Sequence, residues 1–316
     1  MSAFSRVDVS SWPFDEEEKA GKSEKLWVRD PEEPNVARSR WLFKPVTEHA
    51  NGTVQGGDWA EKVSSLLAEH LGIPSARVEL AERDGRRGSL SQNVRPDGYE
   101  LHSGHVWMSA NPNIVYPGDG RVNRGRARAG YSLDNIRAAL SGVEPPFEVD
   151  DDLAAAGSFG VFSSYLVLDA IIANADRHES NWAILRPVVG SDAVRLAPAF
   201  DNENSLGYQL TDENRDAILR GSRSNGVDAW VTKGMAARFD FGSGTPLSLV
   251  DLASLAVRES GLGELLELKL DSLTLSVVND IVDRLTEMSD LERKFAASIT
   301  ITNSERVRNA IRNLAP

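Results

Sequence analysis

The chain contains no cysteine among its 316 residues. This absence excludes disulfide bonds and thiolate metal sites, and it fits a protein kept in a reducing compartment. The N-terminus has no apolar signal core, and no apolar run is long enough to span a bilayer. We therefore predict a cytoplasmic protein without a membrane partner.

Basic residues are also in short supply, with 35 Lys and Arg against 47 Asp and Glu and a formal net charge of −12. Nucleic-acid backbones attract positively charged surfaces, so this balance argues against direct nucleic-acid binding. Hydrophobic residues make up 41% of the chain, which is enough for a substantial core in one large domain or two lobes.

The most informative polar residues lie between Leu168 and Gly207, in LDAIIANADRHESNWAIL and the following VRLAPAFDNENSLG. Asp176 and Asn181 are five positions apart, as in the kinase catalytic loop H-R-D-x-x-x-x-N. Asp201 follows a strand-like apolar run from Val194 to Phe200, as the DFG aspartate of kinases follows a strand. This order indicates phosphoryl transfer.

The chemistry of that reaction explains these residue types. One carboxylate must accept the proton of the attacking hydroxyl, and Asp176 suits this role. Amide and carboxylate oxygens are good Mg²⁺ ligands, which suits Asn181 and Asp201. The alternative is a polar turn between a buried helix and a buried strand, because Asn and Asp favour turns.

Two upstream segments supply candidate phosphate-binding groups. WLFKPV places Lys44 at the end of a short apolar run, where a strand lysine would point toward nucleotide phosphates, unless it is a lysine snorkelling at a sheet edge. AGKSEKLWV places Gly21, Lys22 and Ser23 before a strand, where backbone N–H groups could cover phosphates.

A helix is predicted between Trp59 and Leu71, because its apolar residues form one stripe and Gly72 and Pro74 follow as stop signals. Glu61 on this helix is the candidate partner of Lys44. It lies almost opposite the centre of the apolar stripe, however, and this position is equally typical of a solvated side chain.

Together these motifs resemble the HipA-like family of bacterial Ser/Thr kinases, the toxin kinases of persistence modules. The resemblance rests on GKSEK, LFKP, NADRHESN and LAPAFD, and on the C-terminal ERKFAASITITNSERVRNAI. It covers most of the chain from Gly21 onward and is nearest to the compact, single-kinase-domain branch.

The resemblance implies an α+β, two-lobed protein-kinase-like fold with a small mixed N-lobe (1–100) and a mainly helical C-lobe (101–316). It implies that ATP and Mg²⁺ are used to phosphorylate a Ser or Thr of a protein substrate, with an antitoxin as a possible partner. By this likeness Asp176 is the catalytic base, Asn181 and Asp201 bind the metal, and Lys44 holds the phosphates.

Three further expectations concern the nucleotide site. The hinge against adenine is expected near Leu90 to Asn93, with Gln92 and Asn93 as candidate contacts. His178 is expected to orient the catalytic loop. Ser23 is a candidate site of autophosphorylation, because a phosphate there would repel the phosphates of ATP.

Three alternatives stay open. His102 and His105 form H-x-x-H, which would suit a metal-dependent hydrolase if a third ligand were near. A pseudokinase-like module would bind a partner without catalysis. A phosphoinositide-type lipid kinase would carry a similar D-R-x-x-x-N loop, although the acidic charge and the absence of a polybasic segment disfavour a lipid acceptor.

Overall fold

A computed structural model gives the structure of the protein. It describes residues 3–17, 24–34, 36–50, 52–118, 127–190, 192–222, 226–242 and 244–313. Among these residues, no helix is both long enough and apolar enough to cross a membrane.

The N-terminal part is built on a six-stranded mixed sheet with the order β1-β5-β6-β4-β3-β2. All neighbouring strands are antiparallel except β1 and β5, which are parallel. The strands are β1 (Val7–Asp8), β2 (Phe14–Glu17), β3 (Leu26–Arg29), β4 (Arg40–Pro45), β5 (Val78–Arg83) and β6 (Arg86–Gln92).

Alternation along the central strands separates a small apolar core from a polar cleft, because successive side chains of a strand point to opposite faces. On β4, Trp41 and Phe43 are buried in an apolar cluster that includes Val28 of β3. Leu42 and Lys44 therefore point to the other face, where both line a cavity.

Helix α1 (Gly57–His70) packs between this sheet and the helical part of the chain, where it contacts α5 and α10. It matches the helix predicted from Trp59 to Leu71. Gly56 immediately precedes α1, and a Cβ at this position would lie 1.9 Å from Nε1 of Trp59. Only glycine therefore allows the buried Trp59 to fold back over the helix start.

The rest of the chain is mainly helical, with a second sheet in the order β7-β8-β9. Its strands are β7 (Tyr99–Ser103), β8 (Ala183–Pro187) and β9 (Arg195–Leu196). Its helices are α2 (Gly104–Ser109), α3 (Leu133–Ala139), α4 (Asp151–Ala154), α5 (Gly157–Ile171), α6 (Asp212–Leu219), α7 (Gly226–Val231), α8 (Leu249–Ser260), α9 (Gly263–Ser272), α10 (Leu275–Val282) and α11 (Asp290–Arg312).

These elements confirm the predicted α+β class, with a mixed N-lobe and a mainly helical C-lobe. The chain passes from the first sheet to the second between Gln92 and Tyr99, whereas the exact division at residue 100 stays a prediction. The strand expected from Val194 to Phe200 is shorter. Only β9 is regular, because Ala199 pairs instead with Ser75 in the loop after α1.

Helix α5 is the centre of the C-lobe and packs against α8 and α11. Its apolar residues are buried on nearly every side, as its almost continuous apolar sequence indicates. The helix ends at Ile171, close to the predicted end near Ala173, and leads directly into the loop that carries Asp176.

The first prediction concerns this core. Leu168→Ala on α5 removes a fully buried side chain and should lower the free energy of unfolding by about 2–5 kcal/mol. Leu268→Ala on α9 is the matched control, because Leu268 is 69% exposed and its truncation should have little effect. Denaturant unfolding followed by circular dichroism measures both. Equal losses in the two variants would contradict this description of the core.

Candidate active site

The loop after α5 is shaped by local hydrogen bonds. Ala173 adopts a left-handed backbone with φ of 56°, which turns the chain out of the helix. The Asn174 side chain then accepts a hydrogen bond from the Asp176 N–H at 3.0 Å. The backbone N–H of His178 donates to the Asp176 carbonyl at 2.7 Å. The loop thus places Asp176 at the wall of a cavity.

Asn181 is oriented by the same carbonyl, to which its Nδ2 donates at 3.0 Å. A carbonyl oxygen can only accept, so the side-chain amide must present its nitrogen to Asp176 and its oxygen elsewhere. Because Asn181 lines the cleft, its Oδ1 is the atom available to a metal ion.

Arg177 is the structural centre of the loop, although sequence reasoning missed it. Its guanidinium, 2% exposed, forms a two-pronged ion pair with Asp169 of α5, from Nε at 2.9 Å and Nη2 at 2.8 Å. It also donates to the carbonyls of Asn181 at 2.6 Å and Phe200 at 3.1 Å and to the side chain of Asn202 at 2.7 Å. Arg177 thereby joins α5, the Asp176 loop and the Asp201 segment.

Asp169 is almost fully buried and needs this partner. Burial raises the pKa of Asp169, although the charge of Arg177 and the hydrogen bonds from Arg177 and Asn174 oppose the rise. The signal in the sequence was a lone aspartate inside the apolar run LVLDAII, because a buried carboxylate requires a hydrogen-bonded counter-charge.

Lys44 lies among three carboxylates and lines the same cavity as Asp176 and Asn181. Its Nζ is 3.1 Å from Glu61 Oε2, 2.5 Å from Asp201 Oδ1 and 3.8 Å from Glu203 Oε2. Lys25 adds a second ammonium group 3.7 Å from Asp201 Oδ2. Three negative groups face two positive ones, so one unit of negative charge remains.

Glu61 is 1% exposed and contacts Lys44, so a solvated position for it is wrong. The helical-wheel argument failed because α1 is covered both by the sheet and by C-lobe helices, and has no solvated face at this point. Ser89 of β6 donates to the same carboxylate at 3.2 Å.

The pKa shifts follow from this cluster. Burial works against the charge on Lys44, but Asp201, Glu61 and Glu203 outweigh it and raise its pKa well above the usual value. Burial likewise works against ionisation of Asp201, but Lys44 and Lys25 hold its pKa well below the usual value. Lys44 lowers the pKa of Glu203, yet burial and the other two carboxylates prevail and raise it.

The same residues fit a divalent cation. Carboxylate oxygens of Glu61, Asp201 and Glu203 lie within 4.8 Å of one another. The cleft also holds the oriented Asn181 amide and keeps an excess of negative charge. Hard oxygen ligands with net negative charge are what Mg²⁺ requires. Sequence reasoning did not single out Glu203.

Two cavities meet at these residues. One, of about 390 Å³, extends past Asp176 and Asn204 to Arg238. The other, of about 330 Å³, has an apolar wall that would suit a planar base. Its apolar lining consists of Trp27, Leu42, Val94, Leu101, Ala183 and Phe200. Lys44, Asn181 and Asp201 line both cavities, which places the charged groups where the two meet.

Gln92 and Asn93 line the apolar cavity at the end of β6. The amide groups of both side chains already donate hydrogen bonds within the protein. Gln92 Nε2 donates to the Arg38 carbonyl at 3.1 Å, and Asn93 Nδ2 donates to the Ala37 carbonyl at 3.0 Å. Asn93 Oδ1 accepts from the Arg95 N–H. The structure therefore shows that Asn93 shapes the loop between β6 and β7, whereas a contact of Asn93 with adenine stays a prediction.

His178 lines both cavities, and its Nδ1 accepts a hydrogen bond from the Ser180 N–H at 3.1 Å. Burial lowers its pKa, although Asp176 and Glu179 oppose the shift. Because Nδ1 accepts the Ser180 bond, the position left for a ring proton is Nε2. Gly21, Lys22 and Ser23 lie outside the described residues.

The H-x-x-H histidines lie apart from this site. His102 contacts Glu100, and His105 contacts the Tyr116 hydroxyl. Among the residues the structure describes, the metal-suited cluster contains no histidine. A histidine-based hydrolase site is therefore not favoured.

Comparison with known proteins supports the fold. The structure is similar to that of the Helicobacter pylori proinflammatory kinase CtkA, with a TM-score of 0.72 and 15% identity over 98% of this chain and 99% of that one. It also resembles HipA of Shewanella oneidensis MR-1, solved with HipB and its operator DNA, with a TM-score of 0.55 and 12% identity over 95% of this chain and 67% of that one.

No protein-family model matches the sequence. A search of curated proteins likewise finds no match. The two structural similarities establish a kinase-like fold, so the predicted resemblance to HipA-like kinases is confirmed at the level of the fold.

The second prediction tests the role of Arg177. Arg177→Met leaves Asp169 buried without a counter-charge and should lower the free energy of unfolding by about 3–5 kcal/mol. Arg186→Met on β8 removes an exposed arginine and should be nearly neutral. Denaturant unfolding of both variants gives the comparison, and an unchanged stability of Arg177→Met would disprove the assigned role.

Proposed function

We propose that this protein is an ATP- and Mg²⁺-dependent protein kinase that transfers the γ-phosphoryl group to a Ser or Thr hydroxyl. The observation that carries the proposal is the arrangement across the cleft. Lys44 is paired with Glu61 and Asp201, and Asp176 and Asn181 line the same cavity. Kinases require this combination of lysine–glutamate pair, catalytic loop and metal-binding aspartate.

Each group has a distinct proposed task. The apolar cavity accepts adenine, and Lys44 binds phosphate oxygens. Asp176 accepts the proton of the acceptor hydroxyl. Asn181, Asp201 and Glu203 would hold Mg²⁺, which when bound neutralises charge on the phosphates.

Lys44 is preorganised to bind phosphate once a bound cation offsets the excess negative charge of its three carboxylate neighbours. Glu61 and Asp201 already hold the ammonium group of Lys44 in one position. Phosphate binding therefore requires little further ordering of this side chain. The burial of this cluster strengthens its interactions with charge.

The alternatives lack a supporting observation of equal weight. A binding-only module would be favoured by a missing base, lysine or metal ligand, whereas Asp176, Lys44, Asn181 and Asp201 all line the cleft. A lipid acceptor has no specific support in the described residues. We keep a protein acceptor as the proposal.

The partner and the compartment are inferred from likeness and composition. HipA was solved with HipB and operator DNA, so we propose that this chain also has a protein partner of the antitoxin kind. Co-purification from the native host tests this. The cytoplasm is the proposed location, and cell fractionation tests it.

The third prediction separates chemistry from binding. After incubation with ATP, Mg²⁺ and a generic basic protein, intact-mass spectrometry should show phosphoryl addition for the wild type. Asp176→Asn should lower the rate by about 10³-fold or more, because the base is lost. It should keep the thermal shift on addition of ATP and Mg²⁺. Asp201→Asn should lose both.

The exposed Asp280 on α10 provides the control variant, and Asp280→Asn should behave like the wild type. Equal phosphorylation by the wild type and Asp176→Asn would refute the assignment of the base. Absence of both transfer and thermal shift in the wild type would refute the nucleotide site.

The fourth prediction concerns the unexpected carboxylate. Glu203→Gln removes one negative charge from the proposed metal site and should weaken divalent-cation binding by about 10–100-fold. Electron paramagnetic resonance titration with Mn²⁺ in the presence of ADP measures this without turnover. Glu213→Gln on α6 is the control. Unchanged Mn²⁺ affinity in Glu203→Gln would exclude Glu203 as a ligand.

A further inference from the structure

Arg238 contacts the candidate base directly, although it is 62 residues away in sequence. Its Nε donates to Asp176 Oδ1 at 2.8 Å, and its Nη2 donates to the same oxygen. The guanidinium lines the 390 Å³ cavity, and the side chain is 25% exposed. Neither the catalytic-loop spacing nor the proposed mechanism so far gives Arg238 a task.

The backbone around Arg238 is firmly anchored. Its carbonyl accepts from the Arg128 N–H at 3.0 Å, and the Asp240 N–H donates to the Tyr131 carbonyl at 2.8 Å. The Asp240 carboxylate accepts from the Gly130 N–H at 2.7 Å, and the Phe239 ring packs 4.6 Å from that of Tyr131. Arg238 is therefore presented to the cavity from a fixed point.

Both oxygens of Asp176 are occupied in this arrangement. Oδ1 binds Arg238, and Oδ2 accepts from Asn204 Nδ2 at 3.1 Å. Asn204 is itself held by a hydrogen bond from the Tyr208 hydroxyl. An acceptor hydroxyl that donates to Asp176 must therefore share an oxygen with one of these donors or displace it.

The other basic side chains that line the cleft contact different carboxylates. Among the described residues that line this cavity, the lysines and arginines are Lys25, Lys44 and Arg238. Lys25 and Lys44 face Asp201. Of these three, Arg238 is the one that contacts Asp176, the proposed acceptor of the hydroxyl proton.

We propose that Arg238 is a further catalytic residue, which positions Asp176 before transfer and binds the transferring phosphoryl group during it. This proposal rests on the proposed kinase function. A guanidinium fork matches phosphoryl oxygens geometrically and can exchange one carboxylate contact for a phosphoryl contact.

The step conserves atoms and charge. The acceptor oxygen forms a bond to the γ-phosphorus while the bond to the β,γ-bridging oxygen breaks. The bridging oxygen keeps the electron pair and leaves with ADP. The acceptor proton passes to Asp176. Arg238 forms and breaks no covalent bond, and its charge stabilises the equatorial oxygens as the group passes.

The experiment uses single-turnover phosphoryl transfer with the full chain, ATP and Mg²⁺. Arg238→Ala should lower the single-turnover rate constant by about 10²–10³-fold while changing the half-saturating ATP concentration less than threefold, the loss typical of a preorganised transition-state contact. Arg238→Lys should fall between the wild type and Arg238→Ala, because lysine keeps the charge but loses the fork. Added methylguanidinium should restore part of the activity of Arg238→Ala.

Arg220→Ala is the matched control, because Arg220 is exposed and, among the described residues, pairs with Asp216 four residues earlier. It should keep full activity and should not respond to methylguanidinium. Thermal unfolding and the thermal shift with ATP should be unchanged in all three variants.

Three results would overturn the proposal. Activity of Arg238→Ala within threefold of the wild type would show that the contact is dispensable, and faster transfer would show that it is inhibitory. A loss without methylguanidinium rescue, accompanied by a lost ATP shift, would show a structural role. No transfer by the wild type would refute the proposed function itself, which is a separate outcome.

Discussion

The site depends above all on the buried ion pair between Arg177 and Asp169. The Asp176 loop and the Asp201 segment are separate stretches of chain, and neither has regular structure at its functional residue. Arg177 bonds to carbonyls or side chains in both and anchors them to α5 through Asp169. Because a buried guanidinium must satisfy its donors, this geometry is strongly determined. Asp176 and Asp201, the proposed base and the proposed metal ligand, are thus positioned by one side chain.

Backbone strain marks the same region. Ala173, Asp201 and Leu206 adopt positive φ values of 56°, 61° and 55°, a conformation that costs non-glycine residues free energy. The surrounding contacts compensate for it: the Leu206 N–H donates to the Ile172 carbonyl at 2.8 Å, and Lys44 holds the Asp201 carboxylate. The left-handed backbone at Asp201 turns the chain away from the strand direction, and the Asp201 side chain lines the cleft.

Much of this arrangement was predictable from local sequence. The apolar stripe and stop signals predicted α1, and the apolar run predicted the end of α5, because both are short-range patterns. The order of Asp176, Asn181 and Asp201 predicted one shared cleft, and all three residues line it. The burial of Glu61 could not be predicted from a helical wheel, because the C-lobe helices that pack against α1 are distant in sequence.

Arg238 shows a different limit of sequence reasoning. Its contact with Asp176 is made by a segment that is held by Gly130 and Tyr131, through one hydrogen bond from the Gly130 N–H to the Asp240 carboxylate and one from the Asp240 N–H to the Tyr131 carbonyl. Neither bond could be paired from the sequence, because the two segments are about 110 residues apart. Asp169, in contrast, carried a readable signal, because a carboxylate in an apolar helix must have a partner. Long-range contacts are thus predictable where a buried charge requires a partner, and unpredictable where a partly exposed side chain such as Arg238 contacts a distant loop.

Helix α1 connects Glu61, the partner of Lys44, to the segment after Asp201 and to the start of α11. Its N-terminal side is tied to the segment after Asp201, because the Gly56 N–H donates to the Tyr208 carbonyl at 3.1 Å and Ser64 and Ser205 share a hydrogen bond of the same length. Trp59 donates to Glu292 at the start of α11. Since Glu61 lies on the same rigid helix, a displacement of the Asp201 segment would also move the partner of Lys44. Lys44, Glu61 and Asp201 therefore keep their relative positions through the packing of α1 together with these hydrogen bonds and ion pairs, so the cleft is already formed without a ligand.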